Sequence, residues 1–69
     1  MLILSRRVGQ SVLILPDKSL DLSTPVGGLF QNGPIKIFVI QISGARVKFS
    51  VSADERLLIL REELYQPVG

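Results

Sequence analysis

Arg6 and Arg7 stand side by side after the apolar run Met1 to Leu4 and Ser5, and Arg61 closes a second apolar run, Leu57 to Leu60. A guanidinium offers a planar fork of N–H donors that matches a phosphate or a guanine edge, and it stays charged at every physiological pH. Other chemistry is thinly supplied. The 69 residues include no histidine and no cysteine, which removes the commonest general base, the commonest transition-metal ligand, disulfides and thiolate zinc sites. A serine activated by a lysine is the remaining catalytic arrangement. Ser50 and Lys48, two apart on one strand face, are the pair that could form it, but a solvated polar face accounts for them more simply. The six acids, Asp17, Asp21, Asp54, Glu55, Glu62 and Glu63, show no calcium-loop spacing. Gly27-Gly28 lacks the strand, helix and lysine of a phosphate loop. The chain therefore reads as a non-enzyme without cofactor or metal. Arginines on an exposed sheet edge can hold unstacked RNA bases and their phosphates; the alternative is solvated charge that protects a strand edge from aggregation.

The elements that must position these arginines are short strands. Leu2 to Arg7 reads as the first, with Gly9 turning the chain. "QSVLIL" is β-rich and stops at Pro16. Residues 16 to 34 hold three of the four prolines and half of the six glycines, which marks a loop. Within it the alternation of "SLDLS" allows one extra strand, and Val26, Leu29 and Phe30 suggest that the loop folds back onto the body. "IKIFVIQIS" is the clearest strand. Ile35, Ile37, Val39 and Gln41 fall on one face and Lys36, Phe38, Ile40 and Ile42 on the other, so it is expected at the centre of a sheet. After Gly44-Ala45, "RVKFSVS" points Val47, Phe49 and Val51 inward and Arg46, Lys48, Ser50 and Ser52 outward. "LLIL" is a fifth strand, and "REELYQ" a short helix stopped by Pro67, with Glu62 and Glu63 suited to its first turn.

Size bears on assembly. A chain of this length buries only roughly 60% of its unfolded surface, and small scaffolds usually add disulfides, a metal or a partner subunit. With 46% hydrophobic residues and a net charge of +2, the expectation is a dimer with a shared core. The basic residues of "LILSRR" follow a short apolar run rather than precede a long one, unlike a secretory signal. No stretch approaches the ~18 apolar residues of a membrane span. A soluble, cytoplasmic protein with no membrane partner is expected.

"MLILSRRVGQSVLI" and "SGARVKFSVSADERLLILREELYQ" together resemble the carbon storage regulator family (CsrA/RsmA). The N-terminal Leu-Ile-Leu-Ser-Arg-Arg-x-Gly signature, paired with the later Arg-Glu-Glu, carries the likeness. The resemblance implies one RNA-binding domain over residues 1–69, interrupted by an inserted loop at 16–34. It implies a mainly β fold: five short strands plus a short C-terminal helix, interleaved as a β-sandwich or barrel homodimer in which the first and fifth strands pair within the partner's sheet. It implies a post-transcriptional repressor that binds GGA-containing loops in mRNA leaders and blocks ribosome access. Small regulatory RNAs with GGA motifs titrate such proteins, and a protein antagonist binds some members through the C-terminal helix. By position, the RNA-binding residues would be Leu4, Ser5, Arg6, Arg7, Lys48, Ala53, Leu57, Ile59 and Arg61. For Leu4, Leu57 and Ile59 packing is an equally good explanation, and for Arg61 an ion pair with Glu62, Glu63 or an acid of the partner subunit is the alternative. Asp54 stands where the family usually has proline and would place a negative charge near the RNA. Leu60 stands at a commonly polar position. A protein-interaction module or mixed-dimer partner, with altered or lost RNA binding, is the rival function.

Overall fold

The structure is a computed structural model and describes residues 1–67. Five strands run in chain order: β1 (Leu2–Arg7), β2 (Val12–Pro16), β3 (Lys36–Ser43), β4 (Arg46–Ser52) and β5 (Leu57–Arg61). β1, β4 and β3 form an antiparallel sheet in that order, and β2 pairs with β5 in a second one. The mainly β expectation is met. The tight β3–β4 connection has Gly44 at φ 59°, which suits a two-residue hairpin with glycine at its first central position. Gly9, at φ 87°, turns the chain after β1, where the Gln10 N–H donates to the Arg7 carbonyl at 3.0 Å.

Directly opposed residues of an antiparallel pair share a face. In the three-stranded sheet the rows Leu2–Val51–Ile37, Leu4–Phe49–Val39 and Arg6–Val47–Ile42 form one face, apolar but for Arg6. The rows Ile3–Ser50–Phe38, Ser5–Lys48–Gln41 and Arg7–Arg46–Ser43 form the other. Strict alternation predicts Gln41 beside Val39 and Ile42 on the opposite side. The structure reverses both through a β-bulge: Val39 faces Phe49, Gln41 faces Lys48, and Ile40 is the extra residue. The bulge moves Gln41 to the polar face and Ile42 to the apolar one.

The apolar face looks toward β2. Val12 and Ile14 join Arg6, Ile37, Val39, Phe49 and Val51 around a mainly apolar cleft of about 270 Å³. Among the described residues, Leu4 and Val51 are the buried hydrophobic residues, and Ser50 is the buried polar one. β4 is the central strand rather than β3, which forms an edge with Ile37 62% and Ile42 69% exposed. The apolar character of β3 on both faces thus reflects surface left uncovered by its own chain. The molecule is only 13 Å through its thinnest dimension against 42 and 33 Å across.

Three further expectations are corrected. "SLDLS" forms no strand: Asp17 and Asp21 accept from the backbone N–H groups of Ser19 and Ser23 at 3.0 and 2.9 Å. Two consecutive turns result, which compete with strand pairing. Instead the loop holds a 3-10 helix at Val26–Phe30; its Leu29 is half-buried, while Val26 and Phe30 stay exposed. Pro16 belongs to β2 and faces Leu57, tolerable because β2 is an edge strand. The C-terminal helix is one 3-10 turn, Glu62–Leu64, followed by extended Tyr65. Pro67 steers the residue before it away from the helical region, leaving too little chain to propagate a helix. Within the single chain, β1 pairs with β4 and β5 with β2.

Candidate nucleic-acid interface

Strand alternation divides the run Leu4 to Arg7 between two environments. Ser5 and Arg7 stand on the polar face, with Ser5 directly opposite Lys48 and Arg7 opposite Arg46. Arg7 and Lys48 are exposed and Ser5 is half-buried. Arg6 lies on the apolar face, and its side chain is only 11% exposed. Its guanidinium donates to both carboxylate oxygens of Glu63 at 2.8 and 2.9 Å and to the Ser11 carbonyl at 3.3 Å. This bidentate pair ties β1 to the turn after β5. The Arg6 guanidinium, with smaller help from a backbone N–H, holds the Glu63 carboxyl at about 2, well below its ordinary value. The same bonds raise the pKa of Arg6. Glu63, one of the acids considered for Arg61, is thus paired with Arg6.

Leu4 is 4% exposed on the apolar face. Arg61 closes β5 opposite Val12 and is exposed; Leu57 and Ile59 lie half-buried on the same face of that strand. Within one chain, Arg61 thus belongs to a different sheet from Arg7 and Lys48. Ala53 is half-buried at the β4–β5 connection, where a cleft of about 460 Å³ separates it from Leu29 and Asn32 of the inserted loop.

Asp54 does not present a bare charge there. Its side chain is 6% exposed and accepts two bonds from the Arg56 guanidinium, at 2.8 and 2.9 Å, and one from the Arg56 backbone N–H at 2.9 Å. These hold its carboxyl at about 2, the side-chain bonds contributing most. Arg56 also donates to the Gly28 carbonyl at 2.9 Å, which fastens the β2–β3 loop to the β4–β5 turn. The expected repulsion by Asp54 is thus cancelled by a neighbour two residues away.

The sequence reading missed three roles. Glu63 was considered as an ion-pair partner of Arg61 and pairs with Arg6 instead, and nothing in the spacing of Arg56 distinguishes it from solvated charge. Arg46 was legible as an outward residue of "RVKFSVS", but its place opposite Arg7 depends on strand register.

The likeness to known proteins can now be set beside this geometry. The sequence profile of CsrA, a global regulator protein family, matches residues 1–69. The chain belongs to the CsrA family. Among its relatives are proteins named translational regulator CsrA. That of Thermosipho africanus is 32% identical over 66 residues, covering 96% of this chain and 67% of the relative. That of Thermosipho melanesiensis is 31% identical over 68 residues, covering 99% and 68%. That of Thermotoga maritima is 36% identical over 66 residues, covering 96% of this chain and 59% of the relative. No solved structure matches. Membership in a family of regulators agrees with the non-enzymatic expectation, and among the described residues no helix is long and apolar enough to cross a membrane.

Proposed function

We propose that this chain is a translational regulator that binds GGA-containing single-stranded loops in mRNA leaders and blocks ribosome access, and that small RNAs with the same motif compete for it. The observation that carries the proposal is the polar face of the three-stranded sheet. Arg7 and Lys48 stand there exposed, and the residues opposite them are Arg46, Ser5 and Gln41, none of them acidic. Such a face offers charged forks to phosphates and polar side chains to base edges.

The working form is a homodimer. The exposed Ile37, Val39 and Ile42 on a slab 13 Å thick support it, because a second copy is what could cover them. If β1 and β5 are exchanged between copies, the same two ladders form across the subunits. Membership in the family supports a rim at which Arg61 of one chain lies near Arg6 and Arg7 of the other, and twofold symmetry gives two such rims.

A gel shift with a GGA-loop hairpin, against a hairpin whose loop lacks GGA, tests the proposal. Binding should depend on GGA. Arg61→Ala should weaken it about tenfold or more, since a hydrogen bond to a charged group contributes roughly 1.5–3 kcal/mol and ~1.4 kcal/mol is one decade. Arg61→Lys should rescue little, because a point charge lacks the planar fork. Absence of GGA-dependent binding would favour a protein-interaction module, which the exposed Leu22, Val26 and Phe30 of the inserted loop would suit.

A further inference from the structure

At the hairpin end of the polar face, three side chains lie in one row across the sheet: Arg7 on β1, Arg46 on β4 and Ser43 on β3. We infer that this row is a phosphate-binding notch, and that its occupant is a backbone phosphodiester of single-stranded RNA. The assignment rests on the RNA-binding function proposed above and adds Arg46 and Ser43 to it.

Directly opposed residues of an antiparallel pair have Cβ atoms about 4.5–5.5 Å apart, and like charges in that position destabilise the sheet. Arg7 and Arg46 are such a pair. Among the described residues the ion pairs are Arg6–Glu63 and Arg56–Asp54, so neither arginine of the row has an acidic partner. Around them lies an open notch of about 400 Å³ lined by Arg7, Ser43, Ala45 and Arg46. Two guanidinium forks and a hydroxyl donor lining one notch can serve the oxygens of a phosphate, and an anion between the arginines converts their repulsion into attraction.

The next row on the same face explains why the phosphate belongs to a chain. Lys48 lies two residues along β4 from Arg46, flanked by Ser5 and Gln41. At about 3.4 Å per residue, the two cations are roughly 7 Å apart along the strand. That is a spacing suited to successive phosphates of an extended strand and not to one free ion. The notch would therefore grip the nucleotide that flanks the recognised loop.

The test is fluorescence anisotropy with a GGA hairpin carrying single-stranded flanks, across a salt series, with wild type, Arg46→Gln, Arg46→Lys and Lys36→Gln. Lys36 lies at the opposite end of the same face, next to Phe38, and controls for the loss of one charge. Arg46→Gln should weaken binding about tenfold and reduce the slope of log affinity against log salt by about 0.7, the value for one phosphate of a single strand. Arg46→Lys should keep the slope and lose part of the affinity, and Lys36→Gln should stay close to wild type. Circular dichroism should be unchanged in all. An unchanged slope in Arg46→Gln, or an equal loss in Lys36→Gln, overturns the notch while leaving GGA binding by the wild type intact. Failure of the wild type to bind the hairpin overturns both assignments. Inorganic phosphate alone is titrated in parallel; saturable binding that Arg46→Gln abolishes, with hairpin affinity unaffected, would make this a free-phosphate site and overturn the RNA assignment.

Discussion

Arg6 and Arg7 are neighbours in the chain with different surroundings. Arg7 projects from the polar face with Arg46 across from it, while Arg6 is held by both oxygens of Glu63. Asp54 and Arg56 form the second such pair. Both carboxyls ionise near pH 2 in the folded protein, below unfolded values of roughly 3.9 for Asp and 4.3 for Glu. The stability that each pair contributes is therefore complete above about pH 4.5 and is lost as the pH falls toward 2. Thermal melts should show a flat midpoint from neutral pH to about 4.5 and a decline below it. Glu63→Gln and Asp54→Asn should each lower the neutral midpoint and make the decline shallower. A decline equally steep in both variants would place the acid sensitivity elsewhere. The alternation of β4 was legible, because it has a period of two, although Ser50, read as a solvated outward residue, is buried; the division of Leu4 to Arg7 between two faces was not drawn from the sequence. The partner of each charge was not legible, since Arg6 meets Glu63 across 57 positions of sequence.

At the scale of elements, the strands were readable from β-branched and alternating runs, and the departures have local causes. The bulge at Ile40 needs knowledge of the opposing strand, because Gln41 takes its face from Lys48 rather than from Val39. The tract at 17–24 looked capable of a strand, but aspartates that bond their own backbone two residues on make turns instead. The β2–β3 loop is fastened at Gly28 by Arg56 and places Leu29 and Asn32 beside the β4–β5 turn. Yet the three ladders proper involve none of residues 17 to 34. Replacing residues 18–33 with a short turn should preserve dimer formation and a cooperative thermal transition, at a lower midpoint because Arg56 loses its carbonyl partner. A non-cooperative melt would show that Leu20 and Leu29 belong to the core. Deleting Ile40 should give a regular ladder with Gln41 still opposite Lys48. It should leave the far-ultraviolet spectrum unchanged, whereas a collapse of that spectrum would mean the bulge is required.

For the whole molecule, the hydrophobic load read from composition reappears as an apolar sheet face that one chain leaves open. Leu4 and Val51 are too small a buried core for a slab 42 by 33 Å, and obligate dimers of this kind have no stable folded monomer. Sedimentation at low micromolar concentration should therefore find one species of twice 7.6 kDa; a well-folded monomer would remove the composite rim. What composition could not supply was which strand lies central, because β3 and β4 are both apolar on their inward residues and only pairing separates them. Family membership covers the whole chain, and the proposed RNA site depends on one face of one sheet. The most direct measurement is the affinity of a GGA hairpin for wild type and for the double variant Arg7→Ala/Lys48→Ala, by anisotropy at one fixed salt concentration, since phosphate contacts make affinity strongly salt-dependent. The double variant should remain dimeric and lose about a hundredfold, roughly one decade per lost charged contact. Equal affinities for the two proteins would contradict the assignment of RNA binding to this face.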